Sequence, residues 1–153
     1  RIEIYRYRNM DNIQLSYTFD DECSGSGYSH LDISKNGEYI IAISNIPDLQ
    51  IEFWNIKTQE KLSSANIPTD GLKFVSFSPT SHELFITANN NSIILWRVYY
   101  KFDQYFLTQT IHSLKQLRQI VTITFGENGK EIVYCNNFGE LIVFDEQSAS
   151  DDF

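Results

Sequence analysis

At 153 residues, with 42% hydrophobic and 21% charged residues, the chain falls in the range of a folded soluble protein with a real core. Its net charge of −8 argues against a general nucleic-acid binder and against an anionic membrane surface, since both are held through Lys and Arg. No stretch approaches the ~20 apolar residues of a membrane span. The opening Arg1-Ile2-Glu3-Ile4-Tyr5-Arg6 lacks the apolar run of a signal peptide.

Aromatic residues make up 14% of the chain, and 19 Ile stand against 4 Ala, a balance that favours strands over helices. In chain order, strand-favouring runs bounded by turn residues predict strands near 2–7 and 13–19, then near 28–34, 39–45, 50–56 and 60–67. A third group is predicted near 72–78, 83–88, 92–98 and 105–111, and a fourth near 120–125, 131–136 and 140–145. The acidic Asp20-Asp21-Glu22 and the following Cys23-Ser24-Gly25-Ser26-Gly27 read as a solvated loop. Ser113 to Gln119 reads as a loop, with one helical turn as the alternative.

The groups repeat. Ile2-Glu3-Ile4-Tyr5, Ile51-Glu52-Phe53-Trp54, Ile93-Ile94-Leu95-Trp96 and Leu141-Ile142-Val143-Phe144 each end on an aromatic residue, at separations of 49, 42 and 48 residues. Upstream, Tyr28, Leu31 and Ile33 match Leu72, Val75 and Phe77, and again Ile120, Ile123 and Phe125. Each set leads into a turn: Ser34-Lys35-Asn36-Gly37, Ser78-Pro79-Thr80-Ser81 and Gly126-Glu127-Asn128-Gly129. Seven residues past Ile33, Phe77 and Phe125 stand Ile40, Leu84 and Ile132, which open the next strands. The first copy carries two extra residues near Ile46-Pro47-Asp48.

These residues resemble the WD-repeat β-propeller family in a divergent form, at a spacing close to the ~40–45 residues of its blades and slightly stretched by loops. The resemblance covers nearly the whole chain. It implies an all-β fold, a partial propeller of two complete four-stranded blades and two partial ones. Residues 1–20 would supply the last strands of a first blade, 28–67 a second, 72–111 a third and 120–145 a partial fourth, with 146–153 as a tail. The structural repeat positions are Tyr5, Trp54, Trp96 and Phe144, with Asp48 at the offset of the family's Asp. The tryptophans are expected in core packing between blades. The family's Gly-His pair is absent, and His30, His82 and His112 fall elsewhere. The hydrogen-bonded network of His, Asp, Ser and Trp is therefore not expected, and the blades should rely more on apolar packing.

A propeller needs about four to eight blades, so this arc is read as an excerpt of a longer chain in preference to self-assembly or completion by another protein. The stretch Pro47-Asp48-Leu49-Gln50-Ile51-Glu52-Phe53-Trp54-Asn55-Ile56 is similar to one in the large WD-repeat proteins of cilia and flagella. So are Lys73 to Pro79 with Ile94-Leu95-Trp96, and Phe138 to Phe144. That resemblance implies a non-catalytic protein–protein scaffold of the axoneme, cytoplasmic and cytoskeletal, with axonemal dynein or microtubule-associated proteins as partners. The alternatives are a scaffold of another cytosolic complex (signalling, coat or translation) and a propeller that binds a ligand or catalyses at its channel mouth.

Chemistry-bearing motifs are weak. Cys23 and Cys135 match no metal or redox spacing and read as small buried apolar residues. Gly25-Ser26-Gly27 lacks the Gly-Lys-Ser/Thr ending of a phosphate loop. Arg1, Arg6, Arg8 and Lys101, with Tyr7, Tyr99 and Tyr100, form basic–aromatic patches of the kind that stack on bases. In so acidic a chain they read instead as strand alternation with cations at partner contacts. Only Asp48 and Glu140 lie near equivalent turns, too few for a catalytic cluster. No catalytic residue, cofactor or metal ligand is predicted, and neither nucleic acid nor membrane is expected as a partner.

Overall fold

The computed structural model describes residues 1–9, 12–19, 27–45, 47–68, 71–114 and 119–145. The acidic loop and Cys23, Ile46, the centre of the 113–119 segment and the 146–153 tail lie outside the described residues. Among the described residues the chain is all-β, with 13 strands in four antiparallel sheets.

The first sheet pairs β1 (Ile2–Asn9) with β2 (Asn12–Phe19). The second is a meander of β3 (Tyr28–Ile33), β4 (Tyr39–Ser44), β5 (Gln50–Asn55) and β6 (Lys61–Asn66). The third repeats the plan with β7 (Phe74–Phe77), β8 (Leu84–Ala88), β9 (Ser92–Lys101) and β10 (Gln104–Ser113). The fourth holds β11 (Ile120–Phe125), β12 (Glu131–Asn136) and β13 (Leu141–Asp145). No sheet closes on itself.

The core is three apolar layers, each between consecutive sheets. Strand alternation makes this possible, because successive side chains point to opposite faces. In β4, Ile40 and Ala42 turn toward the first sheet and meet Ile2 and Phe19. Ile41 and Ile43 turn the other way and pack with Ile51 and Phe53 against Phe85, Ile94, Trp96 and Val98 of the third sheet. The third sheet sends Ile86, Ala88, Ile93 and Leu95 toward Ile120, Ile123, Phe125, Ile132 and Tyr134 of the fourth. β4, β5, β8 and β9 are apolar on both faces because both faces are covered, hence runs such as Ile40-Ile41-Ala42-Ile43 and Ser92-Ile93-Ile94-Leu95-Trp96.

Leu84 opens β8 as expected, but the pairing across the turn differs between copies at one point. Ile33 pairs with Ile40 and Phe125 with Ile132, but Phe77 pairs with Phe85, not Leu84. The turn in the third sheet is one residue longer. Ser34 N–H closes on the Tyr39 carbonyl and Gly126 N–H on Glu131, whereas Ser78 N–H reaches Leu84. Pro79 accounts for the difference: with no N–H and a fixed φ, it sets a wider turn than those of the other two copies.

Polar ties run between sheets. The Asp32 carboxylate on β3 accepts the Phe77 N–H of β7 at 2.7 Å and the Ile33 N–H at 2.9 Å, joining the first strands of the second and third sheets. Gly129, at φ 67°, closes the β11–β12 turn against the β7–β8 turn; a Cβ there would stand 2.0 Å from Thr80 Oγ1 and 2.7 Å from Ser78 Oγ. Only glycine permits both that backbone and that approach.

Candidate interaction surface

Three of the four repeat aromatics, Trp54, Trp96 and Phe144, occupy one register, and Tyr5, expected with them, does not. Trp54 pairs with Ile40, Trp96 with Phe85 and Phe144 with Ile132, and each turns toward the sheet before its own. Trp54 and Trp96 are buried, Phe144 is half-buried, and Tyr5 is 53% exposed. Tyr5 lies on the first sheet's other face, away from the layer that Ile2 and Phe19 help to build, and its hydroxyl bonds Glu3. That bond to a carboxylate, with the negative charge beside it, raises the Tyr5 pKa above the usual tyrosine value. Asp48 is exposed in the β4–β5 turn.

The indoles are held by hydrogen bonds as well as by apolar packing, through acceptors other than the His, Asp and Ser of the family's network. Trp96 Nε1 donates to Thr87 Oγ1 at 2.9 Å, and Trp54 Nε1 donates to Glu52 Oε2 at 3.0 Å. The two acceptors belong to one cross-strand position. Ala42 pairs with Glu52, and Thr87 pairs with Ile94. One sheet carries the acceptor on the Trp strand, the next on its neighbour, and the fourth pairs Tyr134 with Ile142 beside a Phe that has no N–H. Glu52 is 2% exposed and also accepts the Tyr28 hydroxyl at 2.7 Å, while Lys61 Nζ sits 3.3 Å from its other oxygen and 5.5 Å from the Trp54 ring centroid. Partners on both oxygens are what allow a carboxylate to stay buried.

The histidines do not converge. His30 sits beside Ser29, His82 stacks on Tyr39, and His112 meets the Phe144 ring edge-on. Cys135, expected buried, is half-buried, its Sγ 3.7 Å from the Asn136 carbonyl oxygen. Glu140 caps its own turn, accepting from Asn136 Nδ2 at 2.7 Å, in a different sheet from Asp48. Among the described residues, no three of His, Cys, Asp and Glu are grouped to hold a metal ion.

The basic–aromatic residues are dispersed. Arg1 pairs with Glu3 at 3.0 Å, and Arg6 borders a shallow cleft with Gln14, Leu15 and Tyr17. Tyr99, Tyr100 and Lys101 lie on a hairpin that the sequence did not disclose at its true length. β9 and β10 run ten residues each against six each for β5 and β6, and their ladder continues unbroken from Ser92–Ser113 to Lys101–Gln104. Phe102 and Asp103 turn the chain at φ 51° and 57°, and Phe102 is 92% exposed. On one face Tyr100 and Tyr105 lie 4.7 Å apart; on the other, Tyr99 is paired with Phe106. A hydrogen bond from the Tyr100 hydroxyl to Asp103 raises that tyrosine's pKa. Deeper in, Tyr39 is sandwiched between Phe53 and His82, and loss of solvent raises its pKa.

A second exposed apolar area lies on the fourth sheet. Leu141 and Val143 are 71% and 55% exposed, while Ile51 and Phe53, at the same register positions in the second sheet, are fully buried. The chain matches no known protein-family model and no curated protein.

Proposed function

We propose that the chain is an arc of a WD-repeat β-propeller acting as a non-catalytic protein–protein scaffold. The observation that carries this is the repeated interface. The aromatic at one strand position of the second, third and fourth sheets faces the preceding sheet, as blades stacked around a channel require. Such stacking offers rigid loops at two ends and strand edges at the rim, a framework for holding several proteins at fixed spacing.

The axoneme of a cilium or flagellum is the proposed setting, supported by the resemblance of the Pro47-Asp48 to Trp54-Asn55 stretch and its neighbours. The charge adds a constraint. At −8, the arc is repelled by acidic tubulin tails, so lattice contact runs through other domains or other proteins. The test is tagged full-length protein in ciliated cells. It is expected along the axoneme, resistant to detergent extraction, with partners that co-purify in fixed stoichiometry. A diffuse or vesicle-coat location rejects the axonemal setting, and the absence of any co-purifying protein rejects the scaffold.

A further inference from the structure

β10 is the outer edge of a four-stranded sheet, and its sequence does nothing to protect that edge. An unpaired row of N–H and C=O groups is a template for another chain, and proteins usually blunt it with short length, Lys, Pro or a bulge. The ten residues Gln104-Tyr105-Phe106-Leu107-Thr108-Gln109-Thr110-Ile111-His112-Ser113 contain no Lys, Arg, Asp, Glu or Pro, and the ladder to β9 has no register shift. β6, the matching edge of the second sheet, is six residues long, starts with Lys61 and has a register shift against β5. Along β10, Phe106 and Ile111 are 44% and 42% exposed.

The hairpin tip is a second, independent anomaly. A two-residue turn with both φ positive selects Asn and Gly. Phe102 there is both left-handed and 92% exposed, so neither turn preference nor burial accounts for it.

Charge at the start of the strand indicates the occupant. The cleft between β6 and the tip is lined by Glu60, Lys61, Leu62, Tyr100, Asp103 and Tyr105. The Lys61 ammonium is engaged by Glu52, so the exposed carboxylates of Glu60 and Asp103 set the sign at its mouth. A second copy of the chain, also at −8, is disfavoured by repulsion. We infer that β10 is a docking strand for an extended segment of a partner protein, apolar at alternate positions, with a Lys or Arg that reaches the Glu60–Asp103 cleft. Backbone hydrogen bonds would supply affinity, and the clefts beside the hairpin would read the side chains. This rests on the scaffold reading and names the kind of partner it holds.

The test has two arms, both on the full-length protein. In the first, a displayed library of random dodecapeptides is selected against it. Enriched peptides should alternate apolar residues, carry Lys or Arg at one end and slow amide exchange along β10. No enrichment, or protection elsewhere, overturns the proposal. So does protection of β10 that rises with protein concentration in the absence of peptide, since that marks a second copy as the occupant. In the second, Thr108→Lys/Thr110→Lys protects the edge at two exposed positions. It should weaken the selected peptides about tenfold or more and release at least one co-purifying partner, with the wild-type fold retained. Thr110→Lys alone repeats the test if the double variant misfolds. Partners retained at wild-type level overturn strand docking and leave the scaffold standing; a wild-type protein that co-purifies with nothing overturns the scaffold itself.

Discussion

Replacing Glu52 with Ile copies the residue that the third sheet has at the same position, Ile94, without the acceptor that accompanies it there. The change takes this acceptor from the Tyr28 hydroxyl and from the buried Trp54 Nε1 proton, now 2.7 and 3.0 Å from the carboxylate. A buried donor that loses its acceptor, as Trp54 Nε1 does, costs about 1–3 kcal/mol. Lys61, whose side chain is 30% exposed, returns to water at little cost. The apolar side chain recovers part of the loss in a site next to Phe19, Ile40 and Ile56, so Glu52→Ile should destabilise by about 2–3 kcal/mol. The compensation is specific. Adding Ala42→Thr places a hydroxyl where Thr87 meets Trp96, and Tyr28→Leu removes the other donor as Leu72 does in the third sheet. The triple variant should return to within about 1 kcal/mol of wild type. Urea unfolding of the full-length protein, followed by tryptophan fluorescence, reads both effects as midpoint shifts. A neutral Glu52→Ile, or a triple variant no better than the single one, would falsify the equivalence of the two sites.

Gly129→Ala should cost about 2–4 kcal/mol, from a left-handed backbone and contact with Thr80 and Ser78, whereas Gly37→Ala, at φ 72° in open space, should cost about 1 kcal/mol; equal losses in chemical denaturation would argue against contact between the two turns. Phe102→Asn should raise stability by about 1 kcal/mol by relieving the turn, and a thermal midpoint that falls instead would show that the Phe102 ring contributes contacts to the fold. Burial raises the Tyr39 pKa above 10.0, so the folded protein keeps its phenol proton where the unfolded chain has begun to release it. The stability gained is full below the unfolded value and is lost as pH rises from there through the folded value; a Tyr39→Phe protein should lose less stability over that alkaline window, and an unchanged pH profile would count against the desolvation.

The strands were legible because both faces of β4, β5, β8 and β9 are covered, which forces apolar runs that end in Trp54 and Trp96. The start of β8 at Leu84 was legible, but the pairing of Phe77 with Phe85 was not, because Leu84 and Phe85 are both apolar and a pattern read by hydrophobicity does not choose between them. Glu52 was hidden for the opposite reason: an acidic residue within Ile51-Glu52-Phe53-Trp54 looks like the solvent face of a half-exposed strand. Its burial depends on Tyr28 and Lys61, brought in from other strands. The hairpin's length was illegible because Phe102-Asp103 carries no Gly or Asn to mark a left-handed turn.

The same interior explains why docking at β10 need not disturb the sheets behind it. On its inward face, Tyr105 and Leu107 already pack against the layer between the second and third sheets, so the strand is fixed before any partner arrives. Among the described residues, the outer edge of β10 pairs with no second strand, with Phe106 and Ile111 along it and Phe102 at the tip. A strand added there would meet a preorganised template and lose little entropy in the scaffold itself. Stabilisation by a bound segment should follow its affinity, rising by about 2.7 kcal/mol at a hundredfold excess over its dissociation constant, with no new protection in the sheets behind the strand. Thermal shifts measured across a peptide titration would show this as a smooth logarithmic rise. A shift accompanied by new amide protection in the second sheet would mean that docking reorders the interior and that β10 is not the fixed edge described here.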